Sequence, residues 1–180
     1  MKNYRYVERR NRMIRRIGIW VADVLIAVLL AWLVFHFLLQ ASYIHGESMQ
    51  PKYYDGDIVL VNKLEYRFNG PRRYDVALIR MDNGYMVQNT VKRVVGLPGE
   101  EILIKDGALY INGRKQDKYF GEGILSAGLA AYTISLGEDE YFVMGDNYNN
   151  SEDSRVANIG NIKRNQFAGK VVSRIREADR

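Results

Sequence analysis

The 180-residue chain carries 26 Lys and Arg against 21 Asp and Glu, two His and no Cys. Those counts exclude a disulfide framework, a thiol nucleophile, a Cys-ligated zinc site and a multi-histidine metal centre. The net charge of +5 does not mark a nucleic-acid surface, because seven basic and two acidic residues fall within residues 1–39, while from residue 40 onward nineteen basic residues balance nineteen acidic ones.

The first predicted element is a membrane span. Ile17 to Leu39 is a stretch of 23 residues interrupted only by Asp23 and His36, and as a helix it would reach about 34 Å, enough to cross a bilayer core. The basic run Arg9, Arg10, Arg12, Arg15 and Arg16 lies just before it. The rule that Lys and Arg stay on the cytoplasmic side therefore predicts a single-pass protein with segment 1–16 in the cytoplasm, 17–39 in the membrane and 40–180 outside. The competing reading is a cleavable secretory signal, whose apolar core runs to only about 7 to 15 residues. Leu39-Gln40-Ala41-Ser42 is also a poor cleavage site, so the expectation is an uncleaved anchor. Asp23 lies near the cytoplasmic end of the span, where a helix partner or the interface accommodates a carboxylate.

Beyond residue 40 the chain predicts one β-rich domain. Short branched or aromatic runs at 57–62, 76–79, 86–95, 108–112, 140–144 and 170–174 are bounded by Gly, Asp, Asn or Pro. Asp55-Gly56, Asn69-Gly70-Pro71, Asp82-Asn83-Gly84, Asp106-Gly107 and Asn112-Gly113 supply the turn chemistry, several of them suited to tight hairpins. No long amphipathic helix, internal repeat or low-complexity segment stands out, and 141 residues suffice for one antiparallel barrel or sandwich with its own core.

Three segments carry candidate chemistry. Gly46-Glu47-Ser48-Met49-Gln50-Pro51 is neither a Gly-x-Ser-x-Gly elbow, since Gln50 stands at the second glycine position, nor Ser-x-x-Lys, since Lys52 comes one residue late. Read alone, a serine so close to a proline in a loop is more often a turn residue than a nucleophile. In Thr90-Val91-Lys92-Arg93-Val94-Val95, period two puts Lys92 and Arg93 on opposite faces, so one of two adjacent cations points inward or lies along a partly covered face. An inward lysine loses charge through desolvation and becomes a competent base, whereas an edge-strand lysine snorkels to water. The third segment, Gly145-Asp146-Asn147 with Ser151-Glu152-Asp153-Ser154-Arg155, is a polar loop longer than a hairpin needs, which points to positioned catalytic groups rather than turn satisfaction alone.

Taken together and in order after a single anchor, Ser48-Met49-x-Pro51, Gly56-Asp57-Ile58-Val59, Lys92 to Gly99 and the boxes around Asp146 and Ser151 resemble the type I signal peptidases. That resemblance implies a mostly antiparallel β-domain with its site facing the membrane, acting on signal-peptide-bearing preproteins at a bacterial cell membrane, with no cofactor and no nucleic-acid partner. It implies Ser48 as nucleophile, Lys92 as general base and Ser151 orienting the amine. Arg93 and Asp146 would pair to brace the site, and Asp153 and Arg155 would support the loop bearing Ser151. The preprotein would add as an extended strand, with shallow pockets admitting small residues one and three positions before the cut. Two positions depart from the pattern. Gly46 stands where some members have a serine as second oxyanion donor, and Tyr148 stands where many have arginine. The apolar residues Ile44, Met49, Tyr53 and Tyr54 suit either lipid contact or core packing. The competing readings are His45 as base for Ser48, a self-cleaving Ser/Lys repressor-type protease, and an inactive relative serving surface-polymer assembly. Oligomeric state is not legible.

Overall fold

The computed structural model describes residues 2–82, 87–116 and 123–178. It divides into two compact units, Met1–Leu38 and Leu39–Arg180. The first is one helix, α1 (Lys2–Leu38), whose stretch Arg15–Leu38 is long and apolar enough to cross a membrane and buries none of its side chains against protein. The basic segment thus continues the helix. Its C-terminal end falls at Leu38, and Leu39, which the apolar pattern assigned to the span, is instead the first residue of a strand.

The second unit is built from antiparallel strands. In chain order they are β1 (Leu39–Tyr43), β2 (Ile58–Asn62), β3 (Val76–Asp82), β4 (Val87–Gly96), β5 (Glu101–Lys105), β6 (Ala108–Ile111), β7 (Arg114–Lys115), β8 (Ile134–Ser135), β9 (Glu140–Met144), β10 (Ile162–Lys163) and β11 (Phe167–Arg176), with one short helix, α2 (Glu65–Phe68), after β2. They form a seven-stranded sheet ordered β1-β2-β11-β3-β4-β9-β10 and a four-stranded sheet ordered β7-β6-β5-β8. The hairpins β5–β6 and β6–β7 turn through Asp106-Gly107 and Asn112-Gly113. All four of these residues have positive φ, between 49° and 74°, as a two-residue turn matched to strand twist requires. Asn83, Gly84 and Met86 of the predicted β3–β4 turn and strand lie outside the described residues.

Alternation along the strands explains how the larger sheet covers both faces. Val76 and Leu78 of β3 join Val59, Val61, Val91 and Val171 in one core, while Ala77 and Ile79 join Val94, Val143 and Phe167 in another. On β9, Tyr141 and Val143 enter that second core, and Phe142 and Met144 turn to a third with Val95, Ile102, Ile104, Leu109 and Ile111. The third core joins the four-stranded sheet to β4 and β9. Strand β4 is therefore interior, flanked by β3 and β9. Where the sequence pattern called for one inward cation of the adjacent pair, the structure buries both: Lys92 and Arg93 are each 4% exposed, because protein lies over both faces of β4.

Candidate active site

The loop between β1 and β2 is fastened by its own apolar residues. Ile44, Met49 and Tyr53 are buried in the core with Val59 and Val61, so these residues pack against protein, and Tyr54 is half-buried. Backbone bonds from the Ile44 N–H to the Asp57 carbonyl (2.8 Å) and from the Gly56 N–H to the Ile44 carbonyl (3.0 Å) close the loop. The Gly46 N–H donates to Asp55 Oδ1 at 2.7 Å. Between the anchors Ile44 and Met49, residues 45–47 are exposed and Ser48 is half-buried. Ser48 thus sits at the end of a short exposed arch between two buried apolar anchors.

The segment after β9 is tied to this arch. The Asn147 N–H donates to the Ser48 carbonyl at 3.0 Å, Asn147 Nδ2 to the Glu47 carbonyl at 3.2 Å and Asn150 Nδ2 to Glu47 Oε2 at 3.0 Å. Gly145 makes the approach feasible. A Cβ there would collide with Ser151 Oγ and the Ser48 carbonyl oxygen and lie 2.7 Å from Ser151 Cβ, so only glycine lets the two segments meet.

Arg93 and Asp146 form a bidentate pair, Nε to Oδ1 and Nη2 to Oδ2, both at 2.6 Å, and Arg93 Nη1 also donates to the Tyr74 carbonyl at 2.7 Å. Asp153, fully buried, accepts from Arg155 Nε at 2.8 Å and Nη2 at 2.9 Å and from the Gly145 N–H at 3.1 Å. The same guanidinium bonds the carbonyls of Ser126, Tyr148 and Ser151. One buried ion pair therefore fixes both ends of the loop carrying Ser151. Ser154, which the sequence analysis quoted without a role, exchanges bonds with the Val143 backbone through its N–H and its Oγ.

Lys92 Nζ lies 3.2 Å from Ser151 Oγ. Burial holds its pKa below the usual lysine range; the Asp153 and Glu152 carboxylates pull it back up, and Arg155 adds to the lowering. Ser48, Lys92 and Ser151 line one cavity of about 460 Å³, with Gln88 and Thr90 of β4 on one wall and Glu152 and Ile159 on another. His45 also lines it but is exposed. Among the described residues, no group of three His, Asp or Glu side chains converges as a metal site would require. The seven residues singled out by sequence are thus brought together: three at the cavity and four in the two ion pairs beneath it. Sequence reasoning missed the Asn147 and Asn150 ties to Glu47 and the Tyr74 carbonyl under Arg93. The density of Asn in residues 147–150 was the only available signal for the first, and nothing signalled the second.

Residues 17–176 match the family described as signal peptidase, peptidase S26. Among curated proteins, a signal peptidase I of Bacillus amyloliquefaciens is 34% identical over 158 residues, covering 83% of each chain. Signal peptidase I T of Bacillus subtilis strain 168 is 35% identical over 83% of this chain and 80% of its own. Signal peptidase IB of Staphylococcus aureus is 30% identical over 84% and 85%. A crystal structure of a signal peptidase I from Enterococcus faecalis V583 is similar over 58% of this chain and 98% of that one, at 29% identity and a TM-score of 0.45. On the extent of the family match and of the curated relatives, the chain belongs to the signal peptidase family, peptidase S26, a family of serine endopeptidases.

Proposed function

We propose that this protein is a membrane-anchored endopeptidase that removes signal peptides from exported preproteins with a Ser48/Lys92 dyad, cutting after a small-x-small motif. The observation that carries the reading is a lysine amine held in a buried environment, 3.2 Å from Ser151 Oγ, in the cavity that also holds Ser48. Desolvation lowers the pKa of that amine and so favours its neutral form, and a neutral amine can take the proton that a serine hydroxyl must lose before it attacks.

In the proposed cycle Ser48 Oγ attacks the scissile carbonyl as its proton passes to Lys92 Nζ. The tetrahedral oxyanion collapses with cleavage of the C–N bond, and the departing amine takes the proton back from Lys92. Water then attacks the Ser48 ester with Lys92 again accepting a proton. This releases the signal peptide's new carboxyl terminus and restores the Ser48 hydroxyl. The Ser48 N–H is the oxyanion donor this reading assigns; Gly46 contributes no side-chain donor. Ser151 orients the amine, the Arg93–Asp146 pair braces β4 beneath it, and the Asp153–Arg155 pair holds the Ser151 loop.

The same reading places the basic N-terminus in the cytoplasm and residues 40–180 outside, with α1 crossing the bilayer. β9 pairs with β4 only from Arg93 onward, so the Gln88–Thr90 part of β4 is a natural place for the preprotein strand to add. The test is cleavage of a preprotein bearing a small-x-small site by the detergent-solubilised full-length protein. Cleavage after the small residue, abolished in both Ser48→Ala and Lys92→Met, is the expected result. Folded wild-type protein that cuts none of several such substrates would overturn the proposal.

A further inference from the structure

A second cavity, of about 450 Å³, opens beside Ser151. Ser151 and Asn149 line both cavities, so the second adjoins the candidate site. Its walls are mainly apolar: Leu125, Leu129, Val156 and Ala157 line it beside Tyr148. Two of these side chains are strongly exposed for leucines, Leu125 at 86% and Leu129 at 43%. Apolar side chains left open beside a polar catalytic cavity lose hydration cost only when something apolar covers them.

The supports of this cavity are rigid. The Arg155 guanidinium, 5% exposed, ties Ser126 on one side to Tyr148 and Ser151 on the other through their carbonyls, and Asp153 neutralises its charge. The Leu129 N–H donates to the Arg155 carbonyl at 2.8 Å. Asn149 bridges the gap, its Oδ1 accepting from the Leu125 N–H at 3.0 Å and its Nδ2 donating to the Gly123 carbonyl at 3.2 Å. The cavity is therefore preformed and mainly apolar, Arg155 lines it with its guanidinium paired to Asp153, and it is braced by the same ion pair that holds Ser151.

We infer that this cavity receives the residues that follow the scissile bond, and that it selects an apolar side chain among the first few positions of the mature protein. The inference rests on the Ser48/Lys92 reading. If the residues before the cut lie along Gln88–Thr90 in the first cavity, the shared lining residues Ser151 and Asn149 put the second cavity within reach of a chain that continues past Ser48. An apolar side chain arriving there covers Leu125 and Leu129, whereas a carboxylate loses water and meets a guanidinium already paired with Asp153.

Two measurements on the full-length protein in detergent test this. In the first, preproteins identical except at the first four positions after the cut carry Leu or Asp at each position in turn, and kcat/KM is compared. At one position or more Leu is expected to exceed Asp by about tenfold, in the range for apolar-pocket discrimination. That ratio is expected to collapse toward unity in Leu125→Asp and Leu129→Asp. In the second, Ser48→Ala protein is photo-crosslinked to a preprotein with benzophenylalanine at the preferred position, and adducts are mapped by mass spectrometry. Adducts on residues 125–129 or 156–157 are expected. Adducts confined to residues 45–47 or 88–90, or a Leu-to-Asp ratio that persists in both variants, overturn the inference while leaving the dyad intact. Wild-type protein that cleaves none of the series overturns the dyad and this inference with it.

Discussion

Gly145→Ala is the substitution whose effect is most directly worked from the geometry. A Cβ at position 145 would lie 2.7 Å from Ser151 Cβ, where ordinary contact begins at 3.4 Å, and would also strike Ser151 Oγ and the Ser48 carbonyl oxygen. Ser151 Cβ must withdraw by about 0.7 Å and the Ser48 carbonyl oxygen by more, and neither can do so freely. Ser48 is tied to Asn147, and Ser151 lies in a loop clamped by Arg155. Overpacking of this kind costs about 1–3 kcal/mol of stability. A displacement approaching 1 Å between reacting groups costs roughly 100-fold in rate. Melting temperature and single-turnover cleavage by full-length protein measure the two effects separately. Gly137→Ala is the control, because a Cβ there meets only Glu140 atoms at 3.5 Å or more. A Gly145→Ala protein that folds and cleaves within threefold of wild type would refute the claim that the Ser48 arch and the Ser151 loop are held in register by contact at this glycine.

Arg93→Ala breaks a buried bidentate pair and leaves Asp146 without its guanidinium. A loss of about 3 kcal/mol is expected in denaturant unfolding, with Arg93→Lys only partly restoring it, since an ammonium cannot make two parallel bonds. Lys92→Met isolates the buried amine. Because burial lowers the folded-state pKa of Lys92, the unfolded chain binds more protons between the folded value and the ordinary lysine value near 10.4. Wild-type stability measured relative to Lys92→Met is therefore expected to rise with pH across that window, by up to about 1.4 kcal/mol per pH unit, and to be lowest below it. Chemical unfolding of both proteins at a series of pH values checks the sign, and a flat difference would contradict it. Lys52→Ala is expected to leave single-turnover cleavage nearly unchanged, because Lys52 is exposed and lines a different cavity, with Tyr53 and Arg174.

Much of this architecture could be read from residue patterns. The runs that became β2, β3, β4, β6, β9 and β11 were marked by branched side chains and bounded by turn residues. The two Asp-Gly and Asn-Gly hairpins were marked by residues that tolerate positive φ. β5 went unread because Glu101-Ile102-Leu103-Ile104-Lys105 places three apolar residues in a row. Its inside–outside alternation, with Ile102 and Ile104 buried, emerges only once a sheet partner covers one face. β1 was hidden because Leu39 was assigned to the span and Gln40-Ala41-Ser42-Tyr43 carries neither a branched apolar run nor a turn residue before it, and only pairing with β2 marks it as a strand.

The site divides in the same way. Ser48, Lys92 and Ser151 were picked out by their boxes, but period two could not show that Lys92 and Arg93 would both be buried. That depends on β4 being flanked by β3 and β9 with cores on both faces. The role of Gly145 was equally hidden, since it arises from the approach of segments nearly a hundred residues apart in the chain.

The central claim is that burial, by lowering the Lys92 pKa, fits this amine to act as the base for Ser48. Its most direct test is titration of the Lys92 Nζ by heteronuclear NMR in full-length, lysine-labelled protein, with the resonance assigned by its loss in Lys92→Met. The account requires an amine that loses its proton well below the ordinary lysine range, at the pH where single-turnover cleavage reaches half its maximum. An amine that stays protonated until the ordinary range, with cleavage already at full rate below it, would contradict the account.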